Sequence, residues 1–509
     1  MSDAAPATQA VGSALRPHLG TLLFGFVGSI LVLCGSFGVG WLAPSSPVNR
    51  WKWLIPWRTE LPGLITVTVL LTLGCWMLVA AWLRLGRELK PWTGSIKPTV
   101  TAMVLWTLPM MIALPIFSRD VFAYIGQGRI VLAGGNPYEQ SISSINNWLQ
   151  LGADAYWADS QTAYGPLFYW MAAAIVHFTG TNTEAGVFAF RLLAWAGMAL
   201  VLVFLPKLAA LHGVNPQRAV WITAASPLFL LSFIASAHND ALMVGLAVAA
   251  TYFAARRWGV LAVFLLVLSI GIKPITIVML PFLGLLWAGQ GSSWPRRIRY
   301  WVYSAALALG MLAIMGLPGG FGFGWVKATL TSGGGYMVNY APLGLLVLFF
   351  AGVLTVLQLD SAWVLPAVQM LGRLVAVVVI VYLLFRGSYS RLVQRMLIGF
   401  TALVVLSPVI HPWYLLWLLP FFAATGIRDD WQSLWVVVTV GFFVALGCSD
   451  QLFVWQFVAD YKAILQVISV CVSIGCAALL VLAAKPTKAS IQALLPRKRP
   501  FARRREAKR

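Results

Sequence analysis

Long apolar stretches, broken only by short polar or basic turns, run along almost the entire chain. They fall near 20–43, 62–83, 97–117, 187–206, 218–236, 239–255, 258–273, 275–289, 300–317, 363–385, 396–410, 413–425, 432–448 and 461–483. Runs of about 18 residues or more are the mark of a helix that crosses a bilayer. Two further segments, 164–180 and 341–358, are apolar but harder to place. There is no internal repeat and no low-complexity linker. The pattern predicts an all-α polytopic membrane protein with about 13–15 transmembrane helices. It divides into an N-terminal cytoplasmic segment 1–19, one transmembrane catalytic domain 20–484 and a basic cytoplasmic tail 485–509. The first run is too long for a signal-peptide core and reads as a retained helix.

The basic turns orient these spans. Arg84, Arg87, Lys90 and Lys97 share one turn, Lys207 and Arg218 another, and Arg256 and Arg257 a third. Arg296, Arg297 and Arg299, then Arg386, Arg391 and Arg395, and finally the tail from Arg497 continue the series. Lys and Arg gather in cytoplasmic loops, so these belong inside. That assignment holds only if 164–180 and 341–358 do not fully cross. It leaves 44–61, 118–163, 237–238, 273–274, 318–340, 411–412 and 449–460 outside. The largest outer loop, 118–163, carries Asp120, Glu139, Asp154 and Asp159. Its stretch 120–133 mixes apolar and polar positions as an amphipathic helix lying on a bilayer would.

Composition narrows the function. Sixty per cent of the 509 residues are hydrophobic and 10% are charged, against roughly 25% charged in a soluble domain. Lipid must therefore be part of the solvent. The net charge of +21 is accounted for by cytoplasmic loops and anionic lipid rather than by nucleic acid, for which no soluble basic face exists. The cysteines (Cys34, Cys75, Cys448, Cys471, Cys476) form no CxxC and no spaced Cys/His set, so neither a disulfide framework nor a metal site is indicated. There is no phosphate-binding glycine loop of the nucleotide type and no Asp-x-Asp.

Candidate chemistry sits at the ends of spans. Asp120 is placed to accept a proton from a sugar hydroxyl, or else ends a helix as half of an interfacial ion pair. Arg119 beside it offers a fork of donors for phosphate. Arg129 is a second phosphate contact or a solvated charge. Tyr164 and its aromatic neighbours form part of a site or an interfacial anchor. His238, Asn239 and Asp240 lie together at a junction with almost no loop, as functional groups or as a helix cap. Lys273 either snorkels to head groups or meets a phosphate. His411 is a structural hydrogen-bonder or part of the same outer surface. A group transfer on this face needs a donor that crosses with a lipid, and the cations would stabilise its phosphate as it leaves.

At these residues the chain resembles polyprenyl-phosphate-mannose-dependent mannosyltransferases of the membrane-embedded glycosyltransferase-C class, in particular the actinobacterial α-1,6-mannosyltransferases of the lipomannan pathway. The stretches that carry the resemblance are Phe117-Ser-Arg-Asp-Val-Phe-Ala-Tyr124, Asn136-Pro-Tyr138, Tyr164-Gly-Pro-Leu-Phe168, His238-Asn-Asp-Ala-Leu-Met-Val-Gly-Leu246, Lys273 before Pro274, Phe323-Gly-Trp325 and Pro412-Trp-Tyr-Leu-Leu-Trp417. The resemblance implies a glycosyltransferase-C fold with amphipathic helices in the loop 118–163, and Asp120 as general base. It implies a polyprenyl phosphomannose donor, a mannosylated phosphatidylinositol or lipomannan acceptor, inversion at the sugar carbon, and no metal or other cofactor. Arg119, Arg129 and Lys273 would then face the donor phosphate. Tyr124, Tyr164, His238, Asn239, Asp240, His411, Trp413 and Tyr414 would line the sugar cavity. The catalytic loop follows the third span here rather than the first, which suggests two added N-terminal helices. Asp240 stands where glutamate is as readily expected. Segment 164–180 matches what is usually a membrane helix. The rivals are a flippase for a lipid-linked sugar and another lipid-dependent transferase such as an arabinosyltransferase.

This reading predicts that cysteines placed singly at positions 120 and 238 of a chain freed of its native cysteines, wherever they react with an impermeant maleimide, do so from the outer face of intact cells. Labelling of the two from opposite sides would refute it.

Overall fold

The computed structural model describes residues 15–494 except 162, 332–335, 429–430 and 454–458. Most of the expected N-terminal segment 1–19, the glycines at 333–335 and the basic run from Arg497 lie outside the described residues. The described residues form helices and no strand, as the apolar patterning requires.

The chain opens with two long antiparallel helices, α1 (Leu19–Val39) and α2 (Leu61–Glu88). Small residues let their backbones touch: a Cβ on Gly74 would lie 2.5 Å from the Gly28 carbonyl oxygen, and one on Gly35 2.6 Å from the Leu71 nitrogen. Lipid gives apolar helices no hydrophobic reason to associate, so close van der Waals approach carries such an interface. The third helix, α3 (Lys97–Thr107), stops ten residues short of the expected run end at 117. Leu108 is still helical, but Pro109 has no N–H to continue the ladder, and the α-helix gives way there. A 3-10 turn and an irregular connection lead instead to α4 (Asp120–Leu132).

Helix α4 is more deeply packed than a helix resting on a bilayer. Val121, Phe122, Tyr124, Ile125, Gly126, Gln127, Gly128 and Ile130 are all buried. It lies against α5 (Pro166–Thr179), where a Cβ on Gly128 would meet the Ala172 carbonyl oxygen at 2.5 Å. The rest of the loop 118–163 folds as single helical turns at Ile142–Ser144, Trp148–Leu151 and Ala155–Ala158. The long α6 (Thr183–Leu211) follows.

The expected run 218–236 is bent by 52° between α7 (Pro216–Thr223) and the segment Pro227–Ala235, whose last six residues are π-helical. Ser226-Pro227 is the sequence cause of the break. Next come α8 (Asp240–Ala255) and α9 (Gly259–Ile272), then a 3-10 turn and α10 (Leu280–Ala288). The remaining long elements are α11 (Trp294–Gly316), α12 (Pro342–Val356), α13 (Val364–Phe385), α14 (Leu392–Val405), α15 (Pro412–Thr425), α16 (Trp431–Asp450) and α17 (Lys462–Cys476).

Among the described residues seven helices are long and apolar enough to cross a membrane by themselves, or eight if the bent pair is one span. Six shorter apolar helices account for much of the difference from the expected 13–15. The two ambiguous segments fold as α5 and α12, of 14 and 15 residues. At about 1.5 Å per residue these span about 21–23 Å, less than the ~30 Å of a hydrocarbon core.

Helices α6 and α8 cross where Gly197 faces Ala241, and a Cβ on Gly197 would sit 2.2 Å from the Ala241 carbonyl. Substituting Gly197→Val should force these helices apart and cost about 1–3 kcal/mol. A clear fall in the detergent melting temperature is expected, and an unchanged value would contradict this packing.

Candidate active site

Five separate stretches of chain meet around two carboxylates. Asp120 is the first residue of α4, and its N–H donates to Ser118 Oγ at 3.1 Å. Its side chain is 29% exposed, and Oδ2 lies 3.7 Å from His238 Nε2. That separation is just beyond a hydrogen bond. One turn further along α4, on the same face, the Tyr124 hydroxyl donates to Asn239 Oδ1 at 3.4 Å. The Asp120–Arg119 ion pair that sequence allows does not form the site. Arg119 donates instead to the carbonyls of Gly152 and Ala153, at 2.8 and 2.9 Å, and its guanidinium covers the Trp41 ring.

The second carboxylate is fully buried. Asp240 Oδ1 accepts from Lys273 Nζ at 2.8 Å and from Trp417 Nε1 at 2.6 Å. The Lys273 ammonium also lies 5.0 Å from the Trp417 ring and 5.6 Å from those of Tyr164 and Tyr414. Cations over aromatic faces are held by the ring quadrupole. Asp240 and Asn239 do not cap α8, since neither side chain closes on the helix's free N–H groups. Their side chains meet Tyr124, Lys273 and Trp417 instead.

Local sequence explains the convergence. Lys273 precedes Pro274, is therefore extended, and ends α9. Tyr164 reaches it because Gly165 packs directly on Gly271. A Cβ there would lie 2.4 Å from the Gly271 carbonyl, and the Gly165 N–H donates to the Ile272 carbonyl at 3.0 Å. The Tyr138 hydroxyl donates to the Tyr164 carbonyl at 2.8 Å and fixes that turn. Phe168 and Tyr169 are buried rather than set at an interface.

On the third side, His411 stacks on Trp413 at 4.5 Å, and Trp413 lies 4.1 Å from His238. Tyr414 stacks on Trp417 at 4.0 Å. Burial pushes His238 below the usual imidazole range, against the pull of Asp120 and Asp240. Desolvation, with Lys273 and His238 adding, takes His411 down to about 3. Both rings are therefore neutral near pH 7.

Of the three cations expected at phosphate, Lys273 reaches this cluster. Arg119 is engaged by the outer loop, and Arg129, more than two turns along α4, donates to the Gly180 carbonyl at 2.8 Å. Trp417 was missing from the sequence candidates, although its place three residues after Tyr414 puts both on one helical face. Among the described residues no group of three His, Cys, Asp or Glu side chains is close enough to hold a metal ion.

Fold and site together define a class: a helical, multi-pass membrane protein with a cluster of tyrosine, tryptophan, imidazole and carboxylate gathered where its helices break. A family model described as alpha-(1->6)-mannopyranosyltransferase, N-terminal domain, matches residues 22–289. One described as MptB C-terminal domain matches 341–476. The chain is 30% identical to a probable alpha-(1->6)-mannopyranosyltransferase of Mycolicibacterium smegmatis, over 86% of this chain and 85% of the relative. It is also 30% identical to an alpha-(1->6)-mannopyranosyltransferase of Mycobacterium tuberculosis, over 86% and 84%. Alpha-(1->6)-mannopyranosyltransferase A of the same organism is 26% identical over 79% of each chain. No solved structure matches. The chain belongs to the alpha-(1->6)-mannopyranosyltransferase family.

Because Asp240 and Lys273 are charged partners in a largely dry setting, removing either strands the other. Lys273→Met or Asp240→Asn alone should cost about 3–5 kcal/mol. The double variant should cost clearly less than the sum, read from denaturation midpoints in detergent. Additive losses would mean that the pair is not coupled.

Proposed function

We propose that this chain transfers mannose from polyprenyl phosphomannose to a mannosylated phosphatidylinositol or growing lipomannan, forming an α-1,6 bond at the extracytoplasmic face of the cytoplasmic membrane. Membership of the family supports the sugar and the bond, since its relatives are named for both. The basic turns support the sidedness.

The observation that carries the mechanism is the unequal setting of the two carboxylates. Asp240 is committed to Lys273 and Trp417, whereas Asp120 is partly open, with His238 Nε2 3.7 Å from its carboxylate. Asp120 is therefore the free base. It takes the proton from the acceptor hydroxyl as that oxygen attacks the anomeric carbon. The bond from that carbon to the phosphate oxygen breaks on the opposite side, so a β-linked donor gives an α-linked product. The bond's electron pair leaves with polyprenyl phosphate. Lys273, 15% exposed beside Tyr164, Tyr414 and Trp417, is the cation for that phosphate. His238, neutral and buried against Trp413, orients the Asp120 carboxylate. Tyr124 and Asn239, with the His411, Trp413 and Tyr414 rings, line the sugar cavity. Arg119 braces the outer loop and Arg129 the end of α5, rather than acting as phosphate ligands.

Membrane vesicles given radiolabelled polyprenyl phosphomannose and a short mannoside acceptor test this directly. Asp120→Asn should lower transfer by about 100-fold or more, the usual range for losing a general base. A chelator should leave transfer unchanged. Full transfer by the variant would remove Asp120 from the mechanism. Transfer of arabinose in place of mannose would point to the rival transferase.

A further inference from the structure

Arg191 lies inside α6 and is 2% exposed, and among the described residues no carboxylate pairs with it. An unpaired guanidinium in such a setting is expensive. It is satisfied entirely by backbone. Nε donates to the Ile234 carbonyl at 3.1 Å and Nη2 to that of Ala235 at 2.8 Å. Nη1 donates to the Met111 carbonyl at 3.0 Å.

Those carbonyls belong to two separate segments. Ile234 and Ala235 end the π-helical turn that leads to His238, and Met111 begins the connection that leads to Asp120. A second tie joins the same segments, for Ser236 Oγ donates to the Ile116 carbonyl at 2.5 Å. Each segment also carries a non-glycine residue at positive φ just ahead of its functional side chain. Ala237 has φ 59° beside His238, and Phe117 has φ 64° three residues before Asp120. Backbone of this kind persists only where its surroundings over-determine it. Arg191 and Ser236 supply that constraint, and both act across the gap between the two segments.

We propose that Arg191 is a positioning residue, whose guanidinium sets Asp120 against His238 by bracing the two strained approaches to them. Its importance for turnover rests on the function proposed above, but the bracing itself does not. A lysine cannot reproduce it, because a point ammonium lacks the fork that spans three carbonyls in two segments.

The test uses Arg191→Lys, Arg191→Met and Ser236→Ala in the full chain, with two readouts. The first needs no sugar: Asp120→Cys and His238→Cys are added to each background, disulfide trapping is driven by copper phenanthroline, and the product is mapped by mass spectrometry. Trapping should slow in all three backgrounds, most in Arg191→Met. The second is kinetics on chains that keep both site residues. The kcat should fall by about 10- to 100-fold, as small misplacements do, while KM for polyprenyl phosphomannose stays within about twofold. Should Arg191→Met fail to fold, Ser236→Ala keeps the guanidinium in place and carries the comparison. Wild-type trapping and kcat in folded Arg191→Lys and Ser236→Ala would overturn the proposal. Absence of mannosyl transfer by the wild type would instead sink the proposed function, and the trapping rates would still decide the bracing.

Discussion

The ion pair between Lys273 and Asp240 organises the whole site. In a largely buried setting neither charge is tolerable alone, so wherever one goes the other must follow. Satisfying the pair brings the C-terminal end of α9 to the first turn of α8, and Trp417 donates from α15 to the same carboxylate oxygen. The ammonium needs aromatic faces, which draws in Tyr164 ahead of α5 and Tyr414 of α15. Once these elements are fixed, His238 and Asn239, just before α8, have only one place to go: against α4, beside Asp120 and Tyr124. One buried carboxylate is consumed in holding the site so that another stays available.

A second constraint comes from backbone. Wherever a helix ends or breaks within an apolar setting, its last carbonyls lose their partners and water is not at hand. This chain answers with arginine. Arg58 donates to the carbonyls of Phe37 and Gly40 at the end of α1, Arg129 to Gly180 after α5, and Arg395 to Leu383 and Leu384 near the end of α13. Arg191 does the same for the bent span, and Arg218 reaches the Ile427 carbonyl beyond α15. The strongly basic balance is thus partly structural. Reading it only as loops and lipid surface overlooks side chains whose partners are amides.

That explains which parts were legible in the sequence. The polar residues that interrupt apolar runs (Asp120, His238, Asn239, Asp240, Lys273, His411) stood out because nothing about burial alone would keep them there, and the structure brings them together. That Arg119 and Arg129 bond backbone carbonyls was not legible, because a carbonyl partner leaves no trace in a sequence. Arg191 went unnoticed for the same reason, hidden in an apolar run. Spans were harder to delimit than to detect. Pro109 ends α3 early, and Ser226-Pro227 bends what reads as one run. The stretch 120–133 has an amphipathic pattern, yet Gly126 and Gly128 let neighbours pack onto it from more than one side.

The most direct measurement is an experimental structure of the protein with polyprenyl phosphomannose bound. The account predicts the donor phosphate beside Lys273, between Tyr164, Tyr414 and Trp417. It also predicts the open face of the anomeric carbon turned toward the Asp120 carboxylate, with room there for one acceptor hydroxyl. A donor seated with its phosphate on Arg119 or Arg129, and its sugar beyond reach of Asp120, would contradict it.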